Sequence, residues 1–219
     1  MTREELAAKI DHTMLKPAAA EQDIETLCSQ AREYHFWSVC VNSCWVSRAK
    51  QRLAGSGVKV CAVAGFPLGA MSTAAKAEEA RIAAEDGADE IDMVINIGFL
   101  KSGNAGAVEE DIRAVKQACT GRLLKVILET CLLTREEKVL ACRLAQNAGA
   151  DFVKTSTGFS TAGAVEADVR LMRESVPAGM GVKASGGVKT FDDAANMLAA
   201  GADRIGTSNG IAILSRLSC

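Results

Sequence analysis

Aromatic side chains make up only 4% of the 219 residues, with a single tyrosine and two tryptophans. That scarcity leaves no stacking platform of the kind that binds single-stranded nucleic acid. Charge of one sign is lacking as well, since 25 Lys and Arg stand against 27 Asp and Glu, a formal net charge of −2. Neither a nucleic acid nor an anionic membrane would find a basic face, so any anion must be held locally. Proline occurs three times, and no Pro- or Ser-rich linker divides the chain. Long apolar runs are missing: Met1-Thr-Arg-Glu-Glu5 opens without a signal-like segment, and no window approaches the roughly 18 apolar residues of a spanning helix. A cytoplasmic location is expected. Only His12 and His35 are available as imidazoles, and no two of the eight cysteines have CxxC spacing. Neither a structural zinc site nor a His-rich catalytic metal centre is supported, and no metal or cofactor is expected. Nothing indicates secretion, so Cys28, Cys40, Cys44, Cys61, Cys119, Cys131, Cys142 and Cys219 are expected as reduced thiols.

What is present is an ordinary globular balance, 48% apolar and 24% charged. At roughly 150 residues per domain this length suits one domain, spanning 1–219. Short β-type runs alternate with longer Ala-rich amphipathic stretches, the pattern of βαβ units on a parallel sheet. The strand candidates are Ile10 to Thr13, Ser38 to Asn42, Val58 to Gly65, Glu90 to Asn96, Leu123 to Thr130, Phe152 to Thr155, Gly181 to Ser185 and Arg204 to Thr207. Thr134-Arg-Glu-Glu137 and Thr190-Phe-Asp-Asp193 have the form of helix N-terminal caps. About eight βα units in one α/β domain predict a (β/α)8 TIM barrel, compact for a fold that runs from roughly 200 residues upward.

An internal repeat supports the count. Gly-Ala-Asp occurs at 87–89, 149–151 and 201–203, each time closing an Ala-rich helix and opening a strand. In register, Asp92, Lys154 and Gly206 take equivalent places on strands four, six and eight, whose side chains share a layer in a closed barrel. Asp89, Asp151 and Asp203 fall at the opposite ends of those strands and are expected to be structural.

Lys154 stands where the apolar Phe152-Val153 gives way to Thr155-Ser-Thr-Gly158, at the end of a barrel strand that carries catalysis. Lys183 holds the same place on the next strand, about 4.8 Å away. Desolvation and a like charge both disfavour protonation, so such a pair can leave an amine free to attack a carbonyl near neutral pH. The expectation is Schiff-base chemistry; the plainer reading is strand lysines reaching to solvent. Asp92, inside Glu90-Ile-Asp-Met-Val94, is a carboxylate that needs a partner. It can shuttle protons with a lysine, or it can form a purely structural ion pair.

Glycine-exposed backbone N–H groups after strands seven and eight of a barrel often cradle a phosphate. Ser185-Gly-Gly187 and Gly206-Thr-Ser-Asn-Gly210 lie there, and Ser156-Thr-Gly158 adds a third small loop; each alone could be a simple turn. Gly158, Ser185, Gly186, Gly187, Ser208 and Asn209 are therefore candidate substrate-binding residues, with Thr155 beside Lys154. Asp11, in the Asp11-His-Thr13 segment that ends the first strand candidate, either binds a substrate hydroxyl or pairs with a lysine. Glu109-Glu-Asp111 suits a helix first turn, and His35, Trp37 and Trp45 suit packing or surface positions.

These residues resemble the deoxyribose-phosphate aldolases along nearly the whole chain. The likeness rests on Ile10-Asp-His-Thr-Met-Leu-Lys-Pro17, Val39-Cys-Val-Asn42, Val60-Cys-Ala-Val-Ala-Gly-Phe-Pro-Leu-Gly69, Glu90-Ile-Asp-Met-Val-Ile-Asn96, Phe152-Val-Lys-Thr-Ser-Thr-Gly-Phe159, Val182-Lys-Ala-Ser-Gly-Gly187 and Arg204-Ile-Gly-Thr-Ser208. The resemblance implies reversible cleavage of 2-deoxy-D-ribose 5-phosphate to D-glyceraldehyde 3-phosphate and acetaldehyde, without a metal. It assigns the imine to Lys154 and the proton relay to Asp92 and Lys183, and puts Gly158, Gly186, Gly187, Ser208 and Asn209 in the phosphate loops. A homo-oligomer, dimer or tetramer, is expected, with no nucleic-acid or membrane partner. Three features depart from the family pattern: Ser43 in place of a frequent Pro, Asn209 in place of Ser or Ala, and an end at Arg216-Leu-Ser-Cys219 without a longer Tyr-ending tail. Two rival readings remain, a pyridoxal-phosphate barrel enzyme and a non-catalytic sugar-phosphate binding barrel.

Overall fold

A computed structural model describes residues 1–217. Cys219, and with it the end of the Arg216-Leu-Ser-Cys219 tail, lies outside the described residues. Eight strands close in chain order into one parallel barrel: β1 (Ile10–Met14), β2 (Ser38–Val41), β3 (Lys59–Ala64), β4 (Glu90–Val94), β5 (Leu123–Ile127), β6 (Phe152–Lys154), β7 (Gly181–Ser185) and β8 (Arg204–Thr207). Helices cross over between them, among them Glu21–Glu33, Thr73–Glu85, Ala105–Ala118, Arg135–Asn147, Glu166–Ser175 and Phe191–Ala199. The (β/α)8 expectation holds. Both cap signatures are also in place, since the Thr134 and Thr190 hydroxyls accept from Glu137 and Asp193 N–H as capping boxes.

Alternation along the strands separates two environments. Ile10, Val39, Val60, Ala62, Ile91, Met93, Leu124, Val126, Val153, Val182, Ala184 and Ile205 join the main apolar core with the helix side chains. The alternate positions turn into the barrel, where the apolar cluster is small, comprising Leu15, Cys40, Cys61 and Val63 with Phe66 against it. Charged side chains take many of the other inward positions: Asp11, Glu90, Asp92, Lys125, Lys154, Lys183 and Arg204 are all buried, beside uncharged Ser38, Val94 and Ile127. The stabilising apolar layer therefore lies outside the sheet, and the inside is free to carry chemistry.

Five strands end earlier than their expected runs, β2, β3 and β6 by a single residue each. Asn96 does not continue β4; its side chain accepts the Phe99 N–H at 3.1 Å and starts the next helix. Glu129 takes a left-handed backbone (φ 56) and breaks the run after β5. Gly65 (φ 63) ends β3. A second correction concerns Glu109-Glu-Asp111. The helix begins at Ala105, so these residues are not its first turn, and Asp111 is fully buried against Lys76 Nζ at 2.5 Å and Thr73 Oγ1 at 2.9 Å.

Each Gly-Ala-Asp carboxylate acts as a clasp. Asp89 accepts the Val60 N–H at 2.9 Å, Asp151 the Leu124 N–H at 2.7 Å, and Asp203 the Val182 N–H at 2.8 Å. The same three carboxylates pair with Lys50, Lys116 and Arg173. Strand β4 is thereby fastened to β3, β6 to β5, and β8 to β7, as the structural reading of these aspartates anticipates.

His12 points out of the barrel, with Nε2 against Gln30 Oε1 at 2.8 Å and Nδ1 without a partner among the described residues. Burial lowers its pKa below the ordinary value. The unfolded chain then binds a proton that the folded chain resists, so stability falls as pH drops below about 6.5. A thermal midpoint lower at pH 5 than at pH 7.5, with a smaller difference in His12→Phe, is the expected result; identical pH dependence in the two proteins would refute it.

Candidate active site

Lys154 ends β6 with 3% of its surface exposed, at the floor of a cavity of about 490 Å³. Around it lie Gly158, Ser185, Gly186, Gly187, Ser208 and Asn209, which were the expected cradle. The Gly186 backbone (φ 86) is left-handed, and a Cβ on Gly163 would lie 2.1 Å from Gly186 O, so the loops after β6 and β7 meet at a distance only glycine permits. Thr13, Lys16, Thr157 and Lys189 also line the cavity, and sequence reasoning did not single them out. The ammonium ends of Lys16 and Lys189 make no salt bridge among the described residues, which leaves both cations available to an anion.

Behind Lys154 sits Asp92, fully buried. Its Oδ2 accepts from Lys154 Nζ at 2.8 Å and Lys183 Nζ at 2.7 Å, while Oδ1 accepts from Lys125 Nζ at 2.7 Å and the Cys61 thiol at 3.1 Å. One carboxylate oxygen thus bridges the two lysines that the sequence paired. Gly206 makes room for this: a Cβ there would lie 3.0 Å from Lys183 Cε and 2.9 Å from Ser185 Cβ. Burial opposes ionisation of Asp92, but Lys125, Lys154 and Lys183 outweigh it and hold the carboxyl well below the usual range. Burial likewise opposes charge on Lys183, but Asp11 and Asp92 outweigh it and raise its pKa above the usual ammonium value. Lys183 is therefore the charged neighbour of the pair.

Two expected substrate contacts do not reach the cavity. Thr155 is fully buried, donating to Ser185 O and accepting from Ser185 N at 3.0 Å each, because the residue after an inward-facing strand position faces the other way. Asp11 takes the second of its two readings. Its carboxylate pairs with Lys183 at 2.5 Å and with Arg204, and accepts from Ser38 Oγ at 2.7 Å. Lys125, Glu90 and Arg204 complete the interior network, with Lys125 Nζ 2.6 Å from Glu90 and Arg204 stacked 4.8 Å over Trp37. Lys125 carried a signal: it interrupts Leu123-Leu-Lys-Val-Ile127 as Asp92 interrupts β4, and the two are register partners.

Cys40 Sγ, Cys61 Sγ and an Asp92 oxygen lie within 4.8 Å of one another, the one metal-type grouping among the described residues. A dication there would compete with lysine nitrogens for an Asp92 oxygen, since each of the two already accepts from at least one lysine, an unfavourable exchange beside so much positive charge. The seven described cysteines are free thiols. Among the described residues no helix is long and apolar enough to cross a membrane.

Residues 6–216 match the model of the DeoC/LacD family aldolases. A deoxyribose-phosphate aldolase of Streptococcus pneumoniae (strain Taiwan19F-14) is 62% identical over 205 residues, 94% of this chain and 93% of that protein. The structure described as a unique tetrameric deoxyribose phosphate aldolase from Aeropyrum pernix superposes with a TM-score of 0.91 at 38% identity, covering 98% of this chain and 91% of that one.

Proposed function

The chain belongs to the DeoC/LacD family of aldolases, and on that premise we propose that it reversibly cleaves 2-deoxy-D-ribose 5-phosphate to D-glyceraldehyde 3-phosphate and acetaldehyde, through an imine on Lys154. The observation that carries this reading is a lysine at the floor of a glycine-lined cavity, joined to a second lysine through a single carboxylate oxygen. Three buried carboxylates, Asp11, Glu90 and Asp92, face four buried basic side chains in the interior network, Lys125, Lys154, Lys183 and Arg204.

Lys154 Nζ attacks the sugar aldehyde carbon, and loss of water from the adduct gives an iminium ion. The hydroxyl on carbon three then gives up its proton through a water to the Asp92–Lys183 pair. Electrons of the bond between carbons two and three move toward the iminium, leaving an enamine on Lys154 and the new aldehyde of glyceraldehyde 3-phosphate. Protonation of the enamine at carbon two and hydrolysis release acetaldehyde and restore the amine. The phosphate rests against Gly158, Gly186, Gly187, Ser208 and Asn209, with Ser185 beside them. A cytoplasmic setting and assembly as a homo-oligomer, dimer or tetramer, belong to the same reading; free thiols support the first and the tetrameric relative the second.

Borohydride reduction with 2-deoxyribose 5-phosphate or acetaldehyde, followed by peptide mass spectrometry, tests the assignment. A stable adduct on Lys154 is expected. An adduct on another lysine would move the nucleophile, and bound substrate with no adduct would leave a binding barrel.

Ser208 Oγ donates to Asn209 Oδ1 at 3.1 Å, which ties up a hydroxyl facing the phosphate loops. Asn209→Ser is expected to free it and lower KM several-fold with little change in kcat. A change confined to kcat would refute the phosphate role.

A further inference from the structure

Glu129 follows the end of β5 and combines three features that packing alone does not ask for. Its backbone is left-handed (φ 56, ψ 63), a conformation that costs a non-glycine residue on the order of 1 kcal/mol or more. Its carboxylate is 2% exposed, yet among the described residues it has no cationic partner. Its donors instead come almost entirely from one residue. Thr157 N–H reaches Oε1 and Oε2 at 3.3 and 3.4 Å, and the Thr157 hydroxyl donates to Oε2; the Cys131 thiol lies 3.9 Å from Oε1. Thr157 lines the cavity three residues beyond Lys154.

The segments carrying the two residues are themselves laced together, Leu128 N–H to Lys154 O at 2.9 Å and Thr130 N–H to Thr155 O at 3.0 Å. The left-handed residue lies within this ladder, and its side chain crosses to the next loop. A threonine hydroxyl has one proton and two lone pairs. The proton goes to Glu129, and one lone pair accepts the Phe159 N–H at 3.0 Å. What remains is a single acceptor position.

We propose that Glu129 is a positioning residue that fixes the Thr157 hydroxyl as a hydrogen-bond acceptor in the cavity wall, so that the site selects a substrate carrying a donor hydroxyl. A neutral acceptor in place of the carboxylate would let the hydroxyl rotate and present its proton instead. The proposal rests on the aldolase reading, in which the sugar brings its hydroxyls past Thr157 to Lys154.

The test compares Glu129→Gln, Thr157→Val and the double variant with two substrates. With 2-deoxyribose 5-phosphate, each single variant is expected to raise KM about tenfold, the value of one hydrogen bond, while kcat changes less than about threefold. The double variant should be no worse than either single one, because the two residues act as a unit. Acetaldehyde has no hydroxyl, so its borohydride trapping on Lys154 should proceed at the parental rate. Glu129→Gly removes the carboxylate and also relieves the backbone cost, and it supplies the same comparison if Glu129→Gln does not fold. Additive losses in the double variant, an unchanged KM, or an equal loss with acetaldehyde would each overturn the proposal. Failure of the parent protein to trap either substrate would instead remove the aldolase reading beneath it.

Discussion

Lys154→Leu is expected to lower cleavage by about 10⁴-fold or more, the scale on which loss of a covalent nucleophile acts, and to leave the protein at least as stable as its parent. The first half follows because no other lysine nitrogen both lines the cavity floor and touches Asp92: Lys125 and Lys183 are fully buried behind it. The second half follows from charge. Removing one member of a buried ion pair ordinarily strands its partner, at a cost of about 3–5 kcal/mol. Asp92 would not be stranded, since Lys125 Nζ and Lys183 Nζ remain at 2.7 Å each. The interior meanwhile loses its one surplus positive charge. Steady-state assays and thermal unfolding on the same preparation check both halves, and a midpoint several degrees below the parent would refute the electrostatic account even if activity were lost.

Asp92→Asn should do the opposite to stability. It leaves Lys125, Lys154 and Lys183 around a neutral amide whose NH2 group faces ammonium groups. The expected loss is about 3–5 kcal/mol, or roughly 10 °C in thermal midpoint for a chain of this size, together with a fall in turnover of about 10²-fold or more from the broken proton relay. The pH dependence has a definite sign. The folded-state pKa of Asp92 is depressed, so its contribution is present above the ordinary carboxylate value of about 3.9 and is lost as pH falls through the folded value. Lys125 and Lys183 are raised, so theirs is present below about 10.4 and lost as pH rises through their folded values. The parent should hold its cluster-derived stability between those limits, and Asp92→Asn should show weaker acid and alkaline limbs. Superimposable pH profiles for the two proteins would contradict this.

Much of this organisation was legible in the residues because two periodicities coincided. Strand runs of period two and Ala-rich helical stretches alternate along the chain, and the Gly-Ala-Asp repeat aligned Asp92, Lys154 and Gly206 before any coordinates. What escaped depended on direction or on partners distant in sequence. Thr155 looked like a substrate ligand because it adjoins Lys154, but strand geometry sends adjacent side chains to opposite faces. Asp111 looked like a first-turn acid, while its partner Lys76 lies on another helix, 35 residues away. Lys125 was passed over inside an apolar run, although the argument that marked Asp92 applies to it unchanged. Glu129 gave no signal, since no local pattern announces a left-handed glutamate.

The three aspartate clasps bear on how such a barrel is changed by mutation. In each repeat the clasp fixes the height of its strand, and the residue three places on faces inward at a set level: Asp92 after Asp89, Lys154 after Asp151, Gly206 after Asp203. One duplicated unit thus delivers a carboxylate, an amine and an empty place that Lys183 fills. The clasps bind the backbone alone, and the neighbours of that third position decide what it tolerates: three lysines hold Asp92, and Ser185 and Lys183 crowd Gly206. New chemistry can therefore be tried by a single codon change at Lys154, which lines the cavity and whose loss leaves Asp92 paired, with the scaffold that aims it held constant.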